Sequence, residues 1–474
     1  MPVRILSSAL LGIGGVPVEV EVDVASGIPA VRIVGLPDAA VGEARERIRA
    51  AIRASGYTWP ARRITVNLAP ADLKKSGGAF DLPIAIGILA ASGQLRLADS
   101  GVAAIGELAL DGRLRDVGGS LPLARSLAGP SHVTIAPPGA AAELPQVSVA
   151  TTLGDAAHLA SGGRPIARKS SGACQPASIE ADEPFVDIAR VEWQPSAVRA
   201  IELTAVTRLP LLIEGPPGVG KSLAARALHG ILPDLLPDEA EIVRAIASAR
   251  GAAQDGGLRP PLRMPHHDLT VAGLIGGGPR LAPGELTWAH RGLLILDEIG
   301  EYRRDTLEAL REPLERGRVD LVRAGRAANF PADALIVATG NPCGCGELEV
   351  PGGPCRCMPA ARRRGSLSLS APLRDRFALR LRLARPDRAP SPGVPAVGRS
   401  IRVRHAVAAA RRALPPRNEW PRRFPPGAMQ GVSLPSARAW GSVAATALAC
   451  ALLDGRESAG EPDLAEALHL RGHG

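Results

Sequence analysis

Residues 211–222 read LLIEGPPGVGKS, an apolar strand-like run that passes into the spacing Gly215-x-x-x-x-Gly220-Lys221-Ser222. The stretch SLAARALHGIL follows with helical periodicity, so the glycines fall at a strand-to-helix turn. In that setting the loop Gly215-Pro216-Pro217-Gly218-Val219-Gly220 turns backbone N–H groups toward a phosphate at a helix N-terminus. Lys221 brings a point charge to the β- and γ-phosphates of ATP, and the Ser222 hydroxyl is placed to ligate Mg²⁺. The alternative is a glycine-rich turn that binds nothing, and the strands that follow decide between the two.

Downstream, GLLILDEIG is an apolar run ending in Asp297-Glu298. ATP hydrolysis needs a carboxylate for the metal and a base for water, each at the end of a buried strand. Asp297 meets the first need and Glu298 the second. The run ADALIVATGN ends in Asn341, a neutral side chain suited to orienting the same water. Short apolar runs separated by helices are the pattern of a parallel sheet, so residues 185–385 are expected to form an α/β core. In APLRDRFALRL, Arg376 stands beside another strand-like run, and a guanidinium presented by a neighbouring subunit suits transition-state phosphate oxygens.

A chain of 474 residues exceeds one ordinary core. Residues 1–162 alternate strand and helix patterns: VEVEVDV and AVRIVGL as strands, AAVGEARERIRAAIRASG as an amphipathic helix, RRITVNLAP as a further strand. Residues 163–184 lose periodicity and gather Ser, Gly and Pro, the composition of a linker. Residues 386–474 read as helices, with SARAWGSVAATALACALLDG and EPDLAEALHL the clearest. The start, MPVRILSSALLGIGG, is superficially like a signal peptide but runs directly into the alternating strand, so it opens a domain. No apolar run reaches the roughly 18 residues of a membrane span, so no membrane partner is expected. Four clustered cysteines in a long chain without a signal point to a reducing compartment, so the cytoplasm is the expected one.

The net charge of +9 favours a polyanionic partner such as DNA, against the alternative of an arginine-biased composition. Aromatic residues are only 3%, which argues for backbone contact rather than base stacking. GRVDLVRAGRAANFPADAL reads as two β-like runs about Ala324-Gly325, with Arg323 and Arg326 near the tip, either a grip on phosphates or a solvated hairpin. NPCGCGELEVPGGPCRC, residues 341–357, holds Cys343, Cys345, Cys355 and Cys357. They converge tetrahedrally if the Pro/Gly-rich segment turns back, which suits structural Zn²⁺; reduced thiols and a disulfide clamp are the alternatives. His266-His267-Asp268 is a weaker metal candidate, since adjacent side chains in a loop are expected to point apart.

The order of phosphate loop, Asp-Glu strand, asparagine strand, arginine and helical lid resembles an AAA+ ATPase. The match narrows with RITVNLAPADLKKSGGAFDLPIAIGILAASGQL and IGELALDGRLRDVGG in the first domain. MPHHDLTVAGLIGGG, PGELTWAHRGLLILDEIGEY, LREPLERGRV and NPCGCG continue it in the second. These strings resemble the YifB/ComM family of magnesium-chelatase-like ATPases over almost the whole chain. The resemblance implies a Lon-protease-like, ribosomal S5-type α+β domain, a P-loop AAA+ α/β core with a pre-sensor hairpin, and a C-terminal helical lid. It further implies a hexameric homo-oligomeric ring acting by branch migration on branched or single-stranded DNA during transformation or recombination. A protein-remodelling or magnesium-chelatase-type subunit is the alternative, and a degenerate ATPase that only binds nucleotide is a third.

By the same resemblance Asn341 senses the γ-phosphate, Arg376 is a trans-acting finger and Arg438, in LPSARAW, a cis-acting lid arginine. The chain departs from the family at Trp193-Gln194-Pro195-Ser196, where Gly-Gln-x-Gln is usual, at Arg374 in place of leucine, and in a shortened lid with Pro435 at a helix start. The first domain carries Gly77-Gly78-Ala79-Phe80-Asp81 at the turn equivalent to that of Lon proteases, and no lysine between Lys75 and Lys169. A Ser–Lys pair for peptide hydrolysis is therefore not expected; Ser76 beside Lys74 and Lys75 is the residual candidate.

Overall fold

The alternation that begins at Val18 becomes the central ribbon of the first of two units: Val18, Val20 and Val22 are fully buried while Glu19, Glu21 and Asp23 face outward. A computed structural model describes residues 2–35, 39–71, 73, 75, 77–141, 144–164, 186–191, 194–250, 257–278, 281–323, 326–343, 345, 348, 355–359, 369–384, 398–425, 434 and 436–472. The linker expected at 163–184 lies almost wholly outside them, as do Lys74, Ser76 and Trp193.

In the first unit, β1 (Val3–Leu11), β2 (Gly14–Ala25), β3 (Ala30–Val34), β4 (Arg63–Ala69), β5 (Val102–Ala104), β6 (Val133–Ala136) and β7 (Val147–Val149) form one seven-stranded mixed sheet. Its order is β3-β4-β2-β1-β5-β6-β7, with β1–β2 and β2–β4 antiparallel and the other pairs parallel. Helices α1 (Ala39–Ala54), α2 (Asp81–Ala91), α3 (Ser120–Leu127) and α4 (Leu153–Ala160) pack with it. From Asp81 to Leu89, α2 is buried on every side, as a central core helix must be. Lys75 is also buried and donates its Nζ hydrogen bond to the Pro70 carbonyl.

Asp81 opens α2 with a side chain only 1% exposed, gripped by Arg47 Nε at 2.8 Å and Nη2 at 3.1 Å and by the Leu108 amide at 3.3 Å. Burial outweighs the pull of Arg47 and pushes the Asp81 carboxyl up to about 6. Its folded value therefore lies above the unfolded one near 3.8, so the folded state binds the proton more readily between about pH 4 and pH 6. The associated stability is present in acid and is lost as pH rises through that window, up to about 3 kcal/mol for a shift of this size. Denaturant titrations at pH 4, 5, 6 and 7 are expected to show this slope in the parent and a flatter one in Asp81→Asn. Identical slopes in the two proteins would exclude Asp81 as its source.

The second unit is built on a parallel five-stranded sheet, β8 (Leu211–Glu214), β9 (Leu262–Arg263), β10 (Leu293–Leu296), β13 (Leu335–Gly340) and β14 (Leu379–Arg382). The antiparallel pair β11 (Arg318–Arg323) and β12 (Arg326–Pro331) intervenes in the chain. Sheet order is β9-β10-β13-β8-β14, every neighbour parallel. With β8 inserted between β13 and β14, the strand order reverses at β8, and in open α/β sheets such a reversal opens a ligand crevice at the carboxyl ends of the strands. Helices α5 (Pro195–Thr207), α6 (Lys221–Ile231), α7 (Pro237–Ala249), α8 (Pro313–Arg316), α9 (Ala371–Arg376), α10 (Arg399–Ala413), α11 (Ala437–Leu453) and α12 (Glu461–Arg471) complete the elements used below. The Ala-rich α11 packs tightly on α12, since small side chains let helix axes approach.

One segment departs from the sequence reading. Glu241–Gly257, which takes in all of α7 but its first four residues and which sequence position places inside the α/β core, groups with residues 1–181 instead. The reason is a set of long-range polar contacts: Gly119 donates its amide to the Ser248 carbonyl at 2.6 Å, Leu121 donates to Ser248 Oγ at 3.2 Å, and Arg125 pairs with Glu241. Among the described residues, no helix is long and apolar enough to cross a membrane.

A phosphate-loop site at the carboxyl edge of the sheet

Parallel register brings the functional candidates together. Ile213 and Glu214 of β8 lie beside Thr339 and Gly340 of β13, and Leu296 of β10 lies beside Ala338. The residues that leave these strands, Gly215, Asp297 and Asn341, thus emerge along one edge. Gly215 has no room for a side chain: a Cβ there would sit 2.6 Å from the Leu383 carbonyl. Gly218 and Gly220 take φ of 81° and 85°, a left-handed conformation that glycine adopts without strain, and Gly220 caps α6.

Lys221, the first residue of α6, donates to the carbonyls of Gly215 at 3.0 Å and Pro216 at 2.8 Å and to Asn341 Oδ1 at 2.9 Å. Its ammonium thus lies between the loop and the asparagine strand, with burial lowering its pKa from the usual value. Ser222 donates to both Asp297 oxygens, at 2.8 and 3.0 Å. A hydroxyl and a carboxylate in contact are the oxygen donors Mg²⁺ takes alongside phosphate. Glu298 projects into the same cleft from a left-handed backbone with φ of 52°, a strained geometry that side-chain-bearing residues hold where surroundings enforce it.

The enforcing residue is Thr339, which the sequence reading did not single out. Its fully buried hydroxyl donates to Asp297 and accepts the Glu298 amide at 3.0 Å, so one side chain orients both acidic residues. The signal available was its spacing: Thr339 stands two before Asn341 in the run ADALIVATGN, the interval that puts two side chains on one face of an extended chain. Pro217, Gly218, Gly220, Lys221, Ser222, Leu223, Asp297, Glu298, Thr339 and Asn341 line a cleft of about 350 Å³. Backbone amides at a helix N-terminus, an ammonium and an oxygen pair fit a nucleoside triphosphate with Mg²⁺.

Arg376 and Arg438 do not line that cleft. Arg376, at the end of α9, donates to the Arg311 carbonyl at 3.0 Å and the Pro372 carbonyl at 2.9 Å and pairs with Glu315 at 2.8 Å. Arg438, near the start of α11, pairs with the same Glu315, and its second nitrogen lies 3.8 Å from Asp375. Both arginines therefore share one carboxylate on α8, which a single residue, Gly317, separates from the β11–β12 hairpin. Arg323 and Arg326 are register partners at the tip of that hairpin, and their side chains lie outside the described residues. Of the departures from the family pattern, Gln194 caps α5 and donates to the Ala384 carbonyl at 3.0 Å, while Arg374 reaches the Leu369 carbonyl at 3.3 Å.

Elsewhere the cysteines and histidines are brought together. The sulfur atoms of Cys343, Cys345, Cys355 and Cys357 all lie within 4.8 Å of one another, and none is in a disulfide, which removes the disulfide clamp. His266 and His267 do not point apart as expected. Their rings stand 4.0 Å centre to centre, with His266 also 3.2 Å from Asp268, because the loop turns back at this point.

A parallel sheet with this strand order, a phosphate loop at its reversal point and an Asp-Glu pair on a neighbouring strand define a P-loop nucleoside-triphosphate-binding protein. The family model described as "Magnesium chelatase, subunit ChlI" matches residues 187–390, and "Subunit ChlI of Mg-chelatase" matches residues 20–138. YifB of Salmonella typhimurium is 39% identical over 386 residues, covering 80% of this chain and 75% of YifB. YifB of Escherichia coli is 38% identical over 388 residues, with the same coverage. The competence protein ComM of Haemophilus influenzae is 37% identical over 383 residues, covering 79% of this chain and 75% of ComM. The chain belongs to the YifB/ComM family of magnesium-chelatase-like AAA+ ATPases.

Proposed function

We propose that the chain is an ATP-hydrolysing motor that works as a cytoplasmic hexameric ring on branched or single-stranded DNA, driving branch migration in transformation or recombination. The observation that carries it is the convergence of Lys221, Ser222, Asp297, Glu298 and Asn341 on one cleft. Lys221 and the loop amides hold the phosphates, and Ser222 and Asp297 hold Mg²⁺, which neutralises charge on the transferring phosphoryl group. Glu298 takes the proton of the attacking water, while Asn341, bonded to Lys221, reports the γ-phosphate. Arg376 and Arg438 stand side by side on Glu315 and serve two different sites, Arg376 as the finger for a neighbouring subunit's cleft and Arg438 as the cis-acting lid arginine of its own. Residues 1–162 act as a non-proteolytic Lon-like platform, 163–184 as a linker, 185–385 as the motor core and 386–474 as a shortened helical lid.

DNA is favoured by the positive charge of the chain and by a hairpin carrying Arg323 and Arg326 at its tip. Competence is part of the name of the ComM relative. The test measures ATP turnover and DNA affinity with four-way-junction DNA across salt concentrations. Turnover is expected to rise with junction DNA. The Arg323→Ala/Arg326→Ala variant is expected to lower the slope of log affinity against log salt by about 2, one per lost phosphate contact. DNA affinity unchanged from low to physiological salt sinks the proposal. Stimulation by a protein partner in place of DNA would favour the second reading, a chelatase-type or protein-remodelling subunit, to which the magnesium chelatase descriptions of the matching families point.

A further inference from the structure

Cys343 and Cys345 leave the asparagine strand, and Cys355 and Cys357 return to them after a Pro/Gly-rich excursion. Their four sulfurs form a single group no wider than 4.8 Å, with Cys343 3.4 Å from Cys345 and 3.8 Å from Cys355. Cys343 is fully buried, Cys355 and Cys357 are half-buried and Cys345 is exposed. Thiols are weak donors and weak acceptors, so mutual contact among four of them offsets little of the backbone entropy lost in closing the loop.

A cation at the centre of the group supplies the missing term. A tetrahedral ion with metal–sulfur bonds of about 2.3 Å holds its ligands about 3.8 Å apart, inside the observed spread. A disulfide requires sulfur atoms about 2.05 Å apart, far below the 3.4 Å of the nearest pair. Mg²⁺ and Ca²⁺ take oxygen, and among the described residues no carboxylate or imidazole joins the group. An iron–sulfur cluster interposes iron and sulfide between its ligands and spreads the four thiolates more widely.

We propose that Cys343, Cys345, Cys355 and Cys357 bind one Zn²⁺ in a closed, structural tetrathiolate site. Binding releases the four thiol protons and leaves no position for water, so the ion holds structure and performs no chemistry. What it holds is the exit of β13. Cys343 stands two residues after Asn341, whose amide oxygen accepts from Lys221 in the phosphate loop at 2.9 Å. The ion ties that exit to the returning Cys355–Cys357 arm and limits how far Asn341 moves when Lys221 turns to a phosphate. The site stands on the four sulfurs alone and does not depend on the motor acting on DNA, or on its turning over.

The full chain, produced in zinc-supplemented cells and purified without chelator or metal-affinity resin, is expected to carry about one zinc per chain by plasma mass spectrometry. Titration with an organomercurial releases that zinc to a chromogenic chelator. Cys345→Ser and Cys357→Ser each lower bound zinc to below about a tenth of the parent level. Cys450→Ser, a buried cysteine in α11 apart from the group, retains it. Because a cysteine variant can lose metal by misfolding, the parent protein is also reconstituted with Co²⁺, where tetrahedral d–d bands with thiolate charge transfer are expected. The proposal is overturned by a folded, nucleotide-binding parent with no zinc and no tetrathiolate cobalt spectrum, by zinc retained in the Cys345→Ser/Cys357→Ser double variant, or by iron with acid-labile sulfide in place of zinc.

Discussion

Glu298→Gln is expected to lower ATP turnover by about 10² to 10⁴-fold while leaving nucleotide binding in place. The glutamine keeps the size and the hydrogen-bonding shape of the side chain but cannot accept a proton from water, so the loss falls on kcat rather than on KM. Binding survives because the phosphates and the metal are assigned to other groups, the loop amides, Lys221, Ser222 and Asp297, none of which the substitution touches. The local backbone should persist as well, since the Glu298 amide, not its side chain, is what Thr339 holds. Steady-state turnover beside equilibrium binding of a fluorescent ATP analogue separates the two effects. Turnover within about threefold of the parent would show that another group accepts the proton, and lost binding would show that Glu298 holds the metal. Equal, near-zero turnover in parent and variant with intact binding would identify a degenerate ATPase.

The phosphate loop was legible because its chemistry is local: glycines, lysine and serine lie within one turn of chain, and the strand before them is uniformly apolar. Asp297 and Asn341 were legible because a parallel sheet delivers the ends of its strands to one edge, so three strand ends predict one site without any contact being known. Thr339 was missed for a physical reason. A hydroxyl at a strand end is ordinary in sequence, and its importance arises only when β10 and β13 stand side by side and bring Asp297 to it. Glu315 was missed likewise, one of two acids in LREPLERG until two arginines from distant helices close on it. The sequence analysis did not single out α7, and nothing in the residues around Ser248 states that the amide of Gly119, more than a hundred residues earlier, will donate to its carbonyl. The four cysteines were visible as a group; that they come within 4.8 Å required the intervening chain to turn back.

Arg376→Ala is expected to lower turnover of the assembled protein by about 10³-fold or more, with nucleotide binding unchanged. Arg376 lies outside the cleft of its own chain and is held in place by Glu315 and two backbone carbonyls, so its removal takes no ligand from that cleft. The guanidinium is worth this much only if a neighbouring subunit's phosphates meet it in the transition state, and that condition supplies a sharper test than the single variant. Chains carrying Glu298→Gln keep Arg376, and chains carrying Arg376→Ala keep Glu298. Each population alone is expected to be nearly inactive. Mixed rings contain interfaces where the intact arginine of one chain faces the intact glutamate of the next, and turnover should reappear at those interfaces. If rings mix, as energy transfer between labelled subunits would report, yet turnover stays at the level of the separate variants, Arg376 acts within its own chain or only supports the fold. In that case the contact with Glu315 is its whole role, and the neighbouring site must be completed by some other cation.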